Sequence, residues 1–339
     1  MQALRLAEAG DEVTIVDRGS EIGGAWTAPP LVGLTSVECG VHLLENRPDF
    51  YAALERLGIE LERDDRCTTL WRGRPLTMAP ARMLFHALVA ANAFRRGKFD
   101  SFRRTAVSAG RSALQLKTPF RYPSTGCRAL HDSLTRMLAG YGIAPVMNTQ
   151  INSIEVGGRV RCSSSGGPIL ADRIVLGSRA HAPLIIDRRE IHPPLERNRT
   201  ATLVLRGEDA RRLPFTYVEL LRHPDIKRVR DVTPFCLPQL DEDAFVLAVQ
   251  LRASGERLHA SAGPGAIVDT LIGFGLLSDA ALLSRSAMCE YASETITDTG
   301  LRTIERRARG RVVTVRTTDF ADGFRPAGMP HSADGASRA

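Results

Sequence analysis

The stretch from Ala3 to Asp17 restricts the fold more than any other. Ala3, Leu4, Leu6 and Ala7 form one apolar helical stripe, and Gly10 can take the left-handed conformation that ends a helix. Val13-Thr14-Ile15-Val16 follows as a β-branched run without polar alternation, the pattern of a strand covered on both faces. The strand ends in an acid, Asp17; Arg18-Gly19-Ser20 turns the chain, and Gly23-Gly24 lets the backbone approach a ligand closely. Helix, glycine, buried strand and acid in this order are the second half of a βαβ unit, so the expected class is α/β. The helix begins at Met1 with no capping residue ahead of it, and no G-x-G-x-x-G loop occurs in the sequence.

Downstream, helical and strand signals alternate. Asn46 and Pro48 open a helix whose buried face is Phe50, Leu54 and Leu57, closed by Gly58. Cys67 to Met78 is predicted as a hairpin across Arg72-Gly73-Arg74-Pro75, and Pro80 begins a helix ending near Gly97. A helix carrying Leu130, Leu134 and Leu138 runs from Pro123-Ser124-Thr125-Gly126 to Gly140. Ile143 to Met147, Ile151 to Val156, Val160 to Ser163 and Ile169 to Leu176 are predicted strands, and the apolar run Ile174-Val175-Leu176 predicts a return to a parallel strand. From Pro183 to Tyr217, strands alternate with Pro-rich turns. Beyond it, Phe245 to Leu251 reads as a strand, Ala262 to Leu277 as a Gly-interrupted helix, Leu301 to Arg309 as a helix and Val312 to Val315 as a strand.

With 339 residues, 43% of them apolar, the chain has material for two packed units or for one with a large insertion. The net charge of +7 is carried by arginine, since Lys98, Lys117 and Lys227 are the only lysines. An arginine fork suits anionic ligands. Basic residues interleave with aromatics only from Phe94 to Phe99 and from Phe102 to Arg104, so nucleic acid is not an expected partner. Cys39, Cys67, Cys127, Cys162, Cys236 and Cys289 are scattered, without a C-x-x-C pair or a ligand cluster. They read as small buried hydrophobes in a reducing compartment, and no metal site is expected. There is no signal-peptide pattern and no transmembrane segment: Ala79 to Phe94 is broken by Arg82 and His86 and falls short of the ~20 apolar residues that span a bilayer. The default localisation is cytoplasmic. A hydrolase constellation is also missing: Cys39 near His42 has no orienting third group, and no H-E-x-x-H occurs. Arg228, Arg230 and Asp231 beside Tyr217 carry two readings, recognition of an anionic substrate or a buried ion pair capped by the tyrosine.

Three stretches carry a resemblance. "LRLAEAGDEVTIVDRGSEIGGAW" resembles the N-terminal FAD-binding segment of the superfamily of flavin amine oxidases, phytoene desaturases and UDP-galactopyranose mutases, with its strand, G-x-G-x-x-G loop, helix, strand, acid and glycine pair. "VECGVHLLENRPDFYAALERLGIEL" is similar to the loop that passes the flavin ring, and "YPSTGCRALHDSLTRMLAGYGIAPVMNTQINSIEV…ADRIVLGS" to the return into the cofactor domain. The likeness covers Met1 to about Leu61 and Tyr122 to about Ser178. It departs at both ends: the first strand and its three glycines are absent, and Gly323 and Gly328 near the far end match no closing motif.

The resemblance implies a Rossmann-like FAD-binding domain with its first strand missing and an inserted mixed α+β substrate domain. The expected division is 1–45, 123–182 and 292–339 for the FAD/NAD(P)-binding domain, with 46–122 and 183–291 as substrate cap. It implies Asp17 on the cofactor ribose with Arg18 beside it, Gly23 and Gly24 against the cofactor, Gly40 and His42 near the flavin, and Ile151 on the adenine side; His42 is the one catalytic candidate. Tyr217, Arg228 and Arg230 are the substrate-binding candidates. The implied function is an FAD-dependent oxidoreductase moving a hydride from a small-molecule substrate to flavin. The alternatives are a UDP-galactopyranose mutase-like isomerase acting on a nucleotide sugar, and a cofactor-free remnant serving as a binding protein. A mis-assigned start is expected, and with it weak FAD binding by the chain as it stands. The sequence does not fix an oligomeric state.

Overall fold

The first helix, α1 (Gln2–Glu8), ends as its sequence requires. Gly10 takes φ 88°, and Asp11 N–H donates to the Leu6 carbonyl at 2.9 Å, closing the last turn. Leu4 packs on Leu138 and Ile143, with Val13 and Ile15 against the same cluster. The segment 13–17 then runs parallel to 146–149: Val146 N–H donates to Ile15 O at 2.8 Å, Asp17 N–H to Val146 O at 3.1 Å and Thr149 N–H to Asp17 O at 2.9 Å. The strands expected at 13–16 and 143–147 thus narrow to one parallel bridge, Val16 to Val146, because each has a partner on one side alone among the described residues. This computed structural model describes residues 2–22, 28–40, 51–52, 54–55, 57–64, 66–71, 74–76, 87–88, 91, 94–95, 120–177, 182–211 and 213–315.

After α1 come β1 (Leu61–Arg63), β2 (Cys67–Trp71), β3 (Arg74–Leu76) and β4 (Arg121–Pro123). β2 and β3 pair antiparallel, as the hairpin pattern predicts. The helix α2 (Arg128–Gly140) buries Leu130 and Leu138. It leads into β5 (Ile151–Val156), β6 (Val160–Ser164) and β7 (Gly167–Ala171), a meander with turns at both expected glycine pairs, and then into β8 (Ile174–Gly177). Next are β9 (Leu184–Ile186), β10 (Arg189–Ile191) and β11 (Leu195–Glu208). The Pro-rich turns stop at Pro194, and β11 then runs unbroken for 14 residues, held by ladders on both sides. β12 (Tyr217–Leu221), β13 (Ile226–Asp231) and β14 (Ala244–Leu251) follow.

The expected helix at 262–277 is found earlier and longer, as α3 (Ala253–Gly273). Its first part lacks a regular apolar stripe, which hides it from a periodicity reading, and Gly263 at φ 77° with Pro264 kinks it. β15 (Leu282–Ile296), α4 (Asp298–Ala308) and β16 (Val312–Val315) complete the described chain. Thr297 caps α4 by accepting from Gly300 N–H at 3.2 Å.

A seven-stranded sheet in the order β15-β11-β14-β13-β12-β2-β3 dominates the molecule. One face is apolar: Leu203, Leu205, Val218, Leu220, Val229, Leu247 and Val249 pack against Ile267, Val268 and Leu271 of α3. Each such side chain, fully buried, contributes ~1.5–3 kcal/mol. The other face carries Val204, Tyr217, Val246 and Ala248 against Val32, Leu34 and Val37. A five-stranded sheet, β10-β9-β5-β6-β7, stands apart, and β8 pairs parallel with β16 as the apolar run at 174–176 predicts. Asp11 before the segment 13–17 and Arg173 before β8 are joined by an ion pair of 3.1 Å. Among the described residues each of these parallel pieces keeps one edge unpaired.

Candidate functional site

Asp17 stands exposed at the carboxyl end of the segment 13–16, and its Oδ1 accepts from Gly19 N–H at 2.6 Å. This local turn fixes the carboxylate at the end of a parallel pair, the place where α/β sheets take ligands. Arg18 is exposed beside it. Ile151, half-buried, opens β5 two residues beyond Thr149, whose N–H is bonded to the Asp17 carbonyl, so the fold brings Asp17 and Ile151 into one neighbourhood. Gly40, also half-buried, ends the described segment 28–40, while Gly23, Gly24 and His42 lie outside the described residues.

A second group surrounds Arg230, whose side chain is 2% exposed. Its guanidinium lies 3.6 Å from the Tyr122 ring centroid and 5.6 Å from that of Phe235, a double cation–π arrangement. Its Nη2 is 3.7 Å from Asp64 Oδ2, and the Thr216 hydroxyl donates to Asp64 Oδ1. The Tyr122 hydroxyl donates to Glu38 Oε1, and Cys127 N–H to Glu38 Oε2 at 3.4 Å. Burial, reinforced by the Glu38 charge, pushes the Tyr122 phenol well above its ordinary value, so it remains a donor. Burial works against the Arg230 charge, but Tyr122, Glu38 and Asp64 outweigh it and raise its pKa. A buried ion pair with a tyrosine cap is therefore present, with partners other than those the sequence suggests. The acid is Asp64 rather than Asp231, which accepts from Thr233 N–H at 3.0 Å, and the ring over the guanidinium is Tyr122 rather than Tyr217.

Glu38, Asp64, Tyr122 and Thr216 are absent from the sequence reading. One signal was there: Glu38 is a lone acid in the apolar and small-residue run Ser36 to Val41, a setting in which an acid needs a partner. Since Gly40 follows Glu38 by two residues, this network ties the Gly40 segment to the strands that carry Arg230 and Tyr217.

Strand register explains where Arg228 sits. Thr202, Gln250, Arg228, Glu219 and Thr69 are successive partners across β11, β14, β13, β12 and β2, so their side chains share one face. That face is the one opposite α3. The next row on it is Val204, Ala248, Arg230, Tyr217 and Cys67. Tyr217 and Arg230 are buried, whereas Arg228, Glu219 and Gln250 are half-buried. Arg228 Nε is buried with no hydrogen-bond acceptor among the described residues. A buried donor left in that state costs ~1–3 kcal/mol, and an anionic oxygen arriving on this face would relieve it.

Among the described residues no group of three or more His, Cys, Asp or Glu is placed to hold a metal ion, and no helix is long and apolar enough to cross a membrane. The architecture, mixed sheets with a parallel piece ending in an acid, is similar in fold to several solved structures. The structure of putrescine oxidase bound to putrescine matches with a TM-score of 0.61 at 12% identity, over 95% of this chain and 91% of that one. Reduced UDP-galactopyranose mutase matches at 0.60 and 11% identity, over 91% of this chain and 85% of that one. An oxidoreductase from Methanosarcina mazei matches at 0.53 and 14% identity, over 84% of each chain. No protein-family model matches the sequence, and no curated protein does.

Proposed function

We propose that this chain is the scaffold of an FAD-dependent oxidoreductase that takes a hydride from a C–N or C–C bond of a small molecule. The carrying observation is the exposed Asp17 carboxylate, fixed at the carboxyl end of a parallel segment within an amine-oxidase-like fold. An acid in this position suits the hydroxyls of a ribose, so the residues present fit that end of the cofactor. Bound flavin supplies the acceptance of the hydride. Arg18 lies beside the ribose, Ile151 faces the adenine side, and Gly23, Gly24, Gly40 and His42 follow the flavin. The unit made of 1–45, 123–182 and 292–339 holds the cofactor, and 46–122 with 183–291 caps it. In support, the parallel piece β8–β16 draws on the first set, and β2, β3, β12, β13 and β14 on the second; against it, β9 and β10 of the second set join β5 of the first, and β15 runs across the boundary at 292.

Within the cap, Arg228 receives an anionic group of the substrate, while Arg230 and Tyr217 in the adjoining row hold the floor beneath it. The buried, unsatisfied Arg228 Nε supports this assignment. The same observation favours a second reading, a mutase-like isomerase of a nucleotide sugar, whose phosphates would meet the same arginine.

Titration of FAD against the protein, followed by the flavin's visible spectrum, tests the cofactor. A yellow complex whose affinity falls roughly tenfold in Asp17→Ala is expected, the worth of one hydrogen bond to a charged acceptor. Binding that ignores the substitution contradicts the ribose assignment, and a colourless protein at saturating FAD favours the cofactor-free remnant. Bleaching of the bound flavin by an amine without oxygen supports the oxidoreductase. UDP-sugar binding that strengthens on flavin reduction supports the isomerase instead.

A further inference from the structure

A cavity outside the Arg228 row borders the face of the large sheet on which α3 packs. Its volume is about 400 Å³, within the ~300–1,000 Å³ range of small-molecule sites. Leu70 of β2 and Leu220 and Leu221 of β12 line it at the carboxyl ends of that parallel pair, and Phe274 closes it from the end of α3. The remaining wall is the turn after β12, with Arg222, His223 and Pro224. The start of α3 clamps this turn: Arg252 N–H donates to Asp225 O at 2.7 Å, the Ser254 hydroxyl donates to Pro224 O, and Gly255 leaves no room for a Cβ against the Asp225 carbonyl. His223 gives the cavity one oriented donor. Its Nδ1 accepts from Asp225 N–H at 3.2 Å and from Ile226 N–H at 3.0 Å, and its ring meets that of Phe274 edge-on, with centroids 5.1 Å apart. Burial lowers the His223 pKa below the ordinary 6.5 despite Asp225, and Arg252 adds to the effect, so the ring is neutral at pH 7. A neutral ring whose Nδ1 accepts carries its proton on Nε2, and no described residue accepts from that atom. Arg222 brings a positive charge to the same wall; it is exposed and takes φ 59°, where glycine would be the unstrained choice.

We propose that this cavity binds a small carboxylate with an apolar body, an aryl-substituted or medium-chain acid. One carboxylate oxygen accepts from His223 Nε2–H, the charge lies by Arg222, and the body rests on Leu220, Leu221 and Phe274. The ligand class follows from the lining. Leucines, a proline and a phenylalanine suit neither a sugar nor a nucleotide, whose hydroxyls would go unpaired against them. A single fixed donor beside an arginine suits a negatively charged acceptor. The cavity is separate from the substrate site proposed above, since Arg228 shares the face of the sheet opposite α3.

The inference is independent of flavin and is tested on the full chain by calorimetric titration with hydrocinnamate, and with hydrocinnamyl alcohol as its neutral counterpart. Saturable binding of the acid, with the alcohol at least tenfold weaker, is expected. Two variants remove the polar contacts and spare the fold, which circular dichroism confirms. In Arg222→Gly the left-handed backbone passes to the residue that suits it best. In His223→Asn the side-chain oxygen takes over from Nδ1 as acceptor for the turn, while the Nε2 donor is lost. Each should weaken binding of the acid roughly tenfold, and Arg228→Ala should leave it unchanged. No saturable binding, an alcohol that binds as well as the acid, full acid binding in Arg222→Gly or His223→Asn, or its loss in Arg228→Ala would each overturn the proposal.

Discussion

Arg230 shows how a single residue type can support two stories in sequence and one in structure. In the sequence, an arginine beside a tyrosine and an acid suits an anionic substrate as well as it suits a core; in the fold the side chain is sealed under Tyr122 and paired with Asp64. Removing one member strands a buried charge, so Arg230→Met should cost about 3–5 kcal/mol in urea denaturation. Replacing both, with Asp64→Leu added, should recover most of that loss; a double variant no better than the single one would contradict the pairing. Gly126 makes a second case. It takes φ 74°, and a Cβ there would come within 2.7 Å of Glu38 Oε2 and 2.9 Å of Phe235 Cγ. Gly126→Ala should lower stability by at least ~1–2 kcal/mol from the left-handed conformation alone, and by more as Glu38 is pushed off Tyr122. An unchanged denaturation midpoint would show that neither constraint holds. Glycine is visible in a sequence; the approach of Glu38 to it is not, because Glu38 comes from a segment 88 positions earlier (126 − 38).

Elements were legible where their period was local. α2, the meander β5–β7, the parallel strand β8, the capped helix α4 and β16 follow their sequence signals closely, because short-range apolar period and glycine punctuation decide them. α3 and β11 did not, since a kink at Gly263 and a pair of flanking ladders decide their lengths. The hairpin at 67–76 was visible, but its parallel pairing with β12 was not, for a partner about 150 residues away leaves no local trace. Asp209, just past β11, illustrates a tie between elements. It accepts from Ser278 N–H at 2.8 Å, from the Ser278 hydroxyl at 2.7 Å and from Arg211 N–H at 3.0 Å, pinning the end of β11 to the loop after α3. Burial pushes its carboxyl up, and those hydrogen bonds outweigh burial and hold it below the ordinary 3.8. A depressed folded pKa adds stability that is complete above 3.8 and is lost as the pH falls through the folded value. Asp209→Asn should therefore flatten the acid limb of a stability-against-pH curve below 3.8, and an acid limb of unchanged slope would remove Asp209 from that role.

At the scale of the molecule, a helix, a strand and an acid near the start of the sequence pointed to an α/β fold, and solved structures such as that of putrescine oxidase are similar in fold over most of the chain. The candidate site was legible only in part. Asp17 could be read from its place after an apolar run, whereas the row Thr202, Gln250, Arg228, Glu219 and Thr69 exists only once five strands are in register. The segment 13–17 and β8 each keep an unpaired edge among the described residues, their leading ends joined by Arg173 and Asp11. The direct test of the proposed ribose contact is FAD affinity, measured by visible absorbance, for the 339-residue chain and for its Asp17→Ala variant. A yellow complex with the first and roughly tenfold weaker binding by the second are expected; equal affinity in both would contradict the assignment.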